Sequence, residues 1–171
     1  SLLAGLDRWQ STTEALDLIM KVIDQQLPYA DSLGGYFEEA HKKRGNNLNH
    51  LNFSGYKSLE NRGYSLIRNR ELRKEIINLF EEGLSGLAAT NSQVDIDNSS
   101  FHYEYIAKNF ALRSNTEIPH NYEKTLNDPL YYSILRSLKT SMDRKTNRVH
   151  RFLRENQRVL ELLEAELALL N

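Results

Sequence analysis

Two Glu-x-x-His pairs, Glu38-x-x-His41 and Glu117-x-x-His120, are the residues whose spacing could do chemistry. On a helix that spacing sets a carboxylate and an imidazole on one face. A four-helix bundle holds a di-metal centre with two such pairs and two further inward glutamates. Here the second pair contains Pro119 and falls in a loop-like stretch, and no inward glutamate is evident on the helix seams. The reading is of no metal and no cofactor. His50, His102 and His150 form no His-Glu-x-x-His peptidase pattern, and His102 and His150 read as partly buried helix residues. Ser54-Gly55 and Ser85-Gly86 lack the Gly-x-Ser-x-Gly context of a nucleophile elbow. Gly34-Gly35 lacks the further glycines and the lysine of a phosphate loop. The absence of cysteine removes disulfides, thiolate zinc sites and cysteine nucleophiles. These residues do not define an enzyme.

One cluster suits ligand binding. Arg62, Arg68, Arg70 and Arg73 gather around a helix start whose cap is Asn69. Free N–H groups at a helix N-terminus attract anions, and arginine adds bidentate donors. A small anion could sit there, although Glu60, Glu71 and Glu75 are near enough to pair with the arginines on the surface. The aromatics Tyr103, Tyr105, Phe110, Tyr122, Tyr131 and Tyr132 read either as a pocket lining or as core.

The elements that must position these residues are helices. Leu2, Leu6, Trp9, Thr13, Leu16, Met20, Ile23 and Leu27 step by alternating fours and threes, a heptad seam that Leu3, Leu18 and Ile19 widen and Pro28 ends. A short helix follows, capped by Asp31 or Ser32 and running to about Arg44, then a turn at Gly45-Asn46-Asn47. Another spans Phe53 to Arg62, with Gly63 as a left-handed terminator and Leu66-Ile67 as an apolar plug. From Asn69, the residues Leu72, Ile76, Leu79, Phe80, Leu84 and Leu87 form an amphipathic stripe. Residues 91–100 are polar, and the pattern leaves open whether they continue the helix; it resumes over Phe101 to Leu112. Residues 114–127 read as the longest loop. Asp128-Pro129 then starts a helix reaching Leu170, with a seam of Leu135, Leu138, Met142, Lys145, Val149, Phe152, Asn156, Val159 and Leu163. No strand pattern of useful length is present.

The fold class is therefore all-α: an elongated, coiled-coil-like bundle with long antiparallel N- and C-terminal helices and shorter helices between, one domain over residues 1–171. Charged residues are 26% of the chain but nearly cancel, to −1, which gives no basic stripe for nucleic acid. No apolar run approaches the roughly 20 residues of a membrane span.

The segment from Phe53 to Arg73 carries an aromatic (Phe53, Tyr56), Leu59, Gly63, the pair Leu66-Ile67, Asn69 and Leu72. It resembles a motif of a bacterial family of membrane-anchored proteins of unknown function, in which one N-terminal transmembrane helix precedes a long-helix soluble domain. The ending Leu160 to Leu167 is similar too. The resemblance implies an anchor upstream of Ser1 and a soluble domain in the periplasm or extracytoplasmic space; it supplies no catalytic residues. The expected function is ligand sensing or contact with a protein partner. The alternative is a scaffold that forms homo-oligomers through its helix seams and takes no small molecule.

Overall fold

The structure, a computed structural model, describes residues 2–42, 54–86 and 101–169. The turn at Gly45, Phe53, Leu87 and residues 91–100 lie outside that set. The all-α class holds: among the described residues helices dominate, with a single two-stranded hairpin.

Helix α1, Leu2–Asp24, has a buried stripe of Trp9, Thr12, Leu16, Ile19 and Ile23. The seam has the expected period but is rotated by one residue in two places, so Thr12 and Ile19 are buried where Thr13 and Met20 are half-buried. The Thr12 hydroxyl lies 3.0 Å from Glu39 Oε1 and 3.1 Å from the Arg8 carbonyl, so its single proton has an acceptor in either position. The helix stops four residues before Pro28. Leu27 N–H bonds the Val22 carbonyl and Gln26 N–H bonds that of Ile23, with Gln26 at φ +49°. These are the paired bonds of a Schellman terminator, in a position that favours glycine.

Helix α2 spans Leu33–His41 and packs on α1, burying Leu33, Phe37 and Ala40. Ser32 occupies its N-cap position without donating or accepting a side-chain bond. Helix α3 spans Ser54–Arg62. Gly63 follows with φ +88° and ψ 134°, a positive-φ extended conformation rather than the compact left-handed turn expected of it, and a 3-10 turn covers Tyr64–Leu66. Helix α4, Arg70–Ile77, is capped by Asn69 and runs into a π-helical turn, Asn78–Gly83. Helix α5 is Phe101–Asn109, α6 is Tyr122–Leu126, and α7 is the 40-residue helix Pro129–Ala168. Of the seam expected of α7, Leu135, Met142, Lys145, Val149, Phe152 and Val159 are buried, and Leu138, Asn156 and Leu163 are half-buried.

The stretch read as a loop contains a hairpin. Strands β1, Phe110–Arg113, and β2, Thr116–Pro119, pair antiparallel with Leu112 opposite Glu117, and α6 follows. Four-residue strands are too short to show alternation, and Pro119, at the strand end opposite Phe110, masks the second one. The two-residue connection places Ser114 at φ +52°.

The chain read as one domain divides into two compact units, residues 1–46 with 92–146 and residues 47–91 with 147–171. The first half of α7 belongs to the first unit and the second half to the other. In the first unit α1 and α7 run antiparallel, as Lys139 pairs with Asp17 at 2.8 Å and Tyr132 reaches Asp24 at 3.5 Å. Gln26→Gly is expected to raise stability by about 0.5 kcal/mol, through relief of the left-handed conformation at the end of α1. Urea denaturation measures it; an unchanged or lower midpoint would show that the Gln26 side-chain bond to Ile23 outweighs the strain.

Candidate functional site

The arginines expected around Asn69 differ in their surroundings. Arg62, Arg68 and Arg70 are exposed. Arg73 turns inward and donates from Nε, at 3.2 Å, and Nη2, at 2.5 Å, to the Ile67 carbonyl, tying the segment before α4 to its second turn. Asn69 Oδ1 accepts from Glu71 N–H at 3.0 Å and Leu72 N–H at 3.1 Å, so the two amides that would face an anion already have an oxygen. A further arginine, Arg158 of α7, ion-pairs with Glu71 at 2.6 Å. In the rest of the motif, Leu72 is buried, Tyr56, Leu59 and Ile67 are half-buried, and Leu66 lies in the 3-10 turn.

The two Glu-x-x-His pairs exchange partners in the first unit. His41 Nδ1 meets the Glu117 carboxylate, and His41 Nε2 lies 2.9 Å from the Tyr131 hydroxyl. Glu38 instead pairs with Lys42 at 2.9 Å, and His120 is exposed. With Glu117 ionised, the imidazole carries its proton on Nδ1 and donates it to the carboxylate; Tyr131 donates to Nε2. The side chain of His41 is 3% exposed, that of Glu117 13%, and Tyr131 is fully enclosed. Phe37, Phe110 and Tyr131 surround the imidazole, the last two edge-on to it at 4.9 and 5.7 Å. Tyr131 stacks on Tyr105, whose hydroxyl donates at 2.6 Å to Asp128, the cap of α7. Carboxylate, imidazole and phenol in line are the components of an acid–base relay, but the phenol at its end is closed off from any substrate. Of the aromatics read as pocket or core, Tyr105, Phe110 and Tyr131 are core, Tyr103 is exposed, and Tyr122 and Tyr132 are half-buried. His102 is half-buried, whereas His150, expected to be so, is exposed.

Burial raises the Tyr131 phenol well above its ordinary range, with the charges at Tyr105 and Glu117 adding to it. Burial also raises Tyr105, and its bond to Asp128 adds to the shift. For Asp128, burial pushes the carboxyl upward, but the Tyr105 hydroxyl and the N–H groups of Leu130 and Tyr131 outweigh it, leaving the carboxyl below its ordinary value.

A cavity that the sequence did not announce opens in the second unit. About 340 Å³ in volume, it lies between α4 with its π-helical turn and the second half of α7. Glu75 and Glu82 line one side, Arg148, Arg151 and Glu155 the other, and Phe152 and Leu79 supply apolar surface. The approach of the two helices depends on Gly83, where an added Cβ would sit 3.2 Å from the Phe152 ring and 3.3 Å from a Glu155 oxygen. The extra residue of a π turn re-aims the side chains along it. Phe80 stacks on Tyr56 of α3 with centroids 4.2 Å apart, and Glu81 accepts from the Tyr56 hydroxyl at 3.3 Å. The sequence signal is Gly83, a small residue within a helical stripe, where a missing side chain allows close approach; Gly86 has no neighbour within 4 Å of where a Cβ would stand. Among the described residues, no group of three or more His, Asp or Glu is placed to hold a metal ion.

No protein-family model, curated protein or solved structure matches the chain.

Tyr131→Phe, which leaves His41 Nε2 buried without a donor, is expected to cost about 1–3 kcal/mol in urea denaturation. Glu117→Gln keeps an acceptor at Nδ1 and should cost less; equal losses would mean that the charge, not the hydrogen bond, holds the imidazole. The lowered Asp128 carboxyl contributes stability that is complete above its ordinary value of 3.8 and is lost as pH falls through the lower folded value. Denaturation midpoints measured across acid pH should therefore fall less steeply in Asp128→Asn. The raised phenols act at the other end: their contribution is complete below pH 10.0 and is lost as pH rises through their folded values.

Proposed function

We propose that the chain is the binding domain of a membrane-anchored protein, a helical module on the extracytoplasmic side that senses a ligand or contacts a partner. The observation that carries the reading is the charged cavity beside the π-helical turn, since binding sites are concave and bring a few polar groups together over apolar surface. The tether rests on the resemblance of residues 53–73 to the membrane-anchored family. None of the described helices is long and apolar enough to cross a membrane; on the proposed reading the anchor lies outside them. Binding is favoured over catalysis because the closest approach to an acid–base array, at His41, ends on an enclosed phenol. A scaffold that self-associates through its seams is the second reading, favoured by the exposed Leu160 and Leu167 toward the end of α7. Sedimentation velocity over a hundredfold range of concentration separates the two, since only the scaffold should associate further as concentration rises.

Location is the deciding measurement. The full-length native protein, tagged at its C-terminus, is expected to fractionate with membranes and to lose the tag when spheroplasts are treated with protease. A soluble, protease-protected protein would rule out the tethered, extracytoplasmic reading.

A further inference from the structure

We propose that the cavity of the second unit binds a small zwitterion: an ammonium and an oxyanion joined by a short aliphatic stem. The inference rests on the reading of this chain as a binding domain and adds the class of ligand. Both signs of charge line one cavity: carboxylates at Glu75, Glu82 and Glu155, guanidinium groups at Arg148 and Arg151. An anion held by Arg148 and Arg151 would face Glu75 and Glu82 of the opposing wall, and a cation held by Glu75 and Glu82 would face the two arginines. A ligand carrying both signs can turn each end toward its complement.

The individual groups suit those ends. The Arg151 side chain is 73% exposed, and its ion pair with Glu155 is long, at 3.9 Å, so its planar fork can take an oxyanion through two parallel bonds. Arg148 is fixed at the mouth by donating to the Gly86 carbonyl at 2.7 Å. Across the cavity, Glu82 is exposed, and Glu75 is held by Arg158 only at 3.9 Å. An ammonium has three donors, and these carboxylates offer acceptors for them. Phe152 and Leu79 cover the short stem between the charged ends. The volume, about 340 Å³, is at the low end for ligand sites and fits a molecule of amino-acid size. Free amino acids and a phosphoethanolamine headgroup share this chemistry.

Thermal unfolding of the 171-residue chain tests it, with glycine, 4-aminobutyrate and phosphoethanolamine as probes and ethylammonium and propionate as single-charge controls. At least one zwitterion is expected to raise Tm by about 3 °C when present at tenfold its Kd, with smaller shifts from both controls. Which probe acts distinguishes an amino acid from a headgroup. The rise should vanish in Glu82→Gln and in Arg151→Gln, two exposed positions whose replacement leaves the helical circular dichroism unchanged. A rise that survives both substitutions, or no rise with any zwitterion, overturns the proposal. A control that stabilises as strongly as the zwitterions, through the same two residues, overturns the ligand class and leaves the binding-domain reading standing. The membrane location is tested separately by fractionation.

Discussion

An imidazole buried among aromatic rings needs partners at both of its nitrogens, and that requirement organises the first unit. His41 is on α2, the carboxylate that satisfies Nδ1 is on β2, and the hydroxyl that satisfies Nε2 is on α7. Satisfying one side chain therefore fixes three elements against one another. Hydrophobic burial alone is non-directional and would tolerate a sliding hairpin. The hydrogen bonds are directional, and in a low-dielectric setting an unmet one is costly. The same constraint reaches a fourth element, because Tyr131 stacks on Tyr105 of α5, and Tyr105 in turn bonds the cap of α7. The network is satisfied at each of these groups, which is the condition under which buried polarity specifies a fold rather than weakening it.

The second unit is governed by the opposite device, the absence of a side chain. Gly83 lets the end of α4 approach the Phe152 ring of α7, and the π-helical turn around it directs Phe80 and Glu81 toward α3. Where the backbone is drawn close at one point, the flanking side chains splay around it. The charged cavity is what remains between them.

How much of this could be read in the sequence differs by element. The face of α7 was legible in its phase, because apolar residues spaced by threes and fours over forty positions average out local exceptions; Leu138, Asn156 and Leu163 of the expected seam are half-buried, and Tyr131 and Ile134 are buried beside it. In α1 the same period was clear but its phase was not: Thr12 and Ile19 are as consistent with the spacing as Thr13 and Met20, and only packing against α2 chooses. The Asn69 cap was legible because a cap is a local interaction. The hairpin was not, since its strands are stabilised by the helix that covers them and by Glu117, a polar residue that turns inward. His41 and Glu117 each stood out in the sequence, but as members of separate pairs. No spacing rule joins residues so far apart in the chain. The cavity was hidden for the same reason: its two walls come from segments that only the fold brings together.

The division of α7 between two units has a consequence for the order of events at the ribosome. The second unit is built from a segment inserted within the first, and both take their closing wall from the same terminal helix. Neither unit is contiguous in the chain, so neither can complete its core until its own stretch of α7 has been made. Tyr131, the partner of His41, is made about ninety residues after it. The wait leaves the part of α1 that faces α7 uncovered through most of synthesis, when partly folded chains are most prone to associate. In such a topology the long-range contacts form late. Synthesis of α7 is then the switch from an open chain to a closed one.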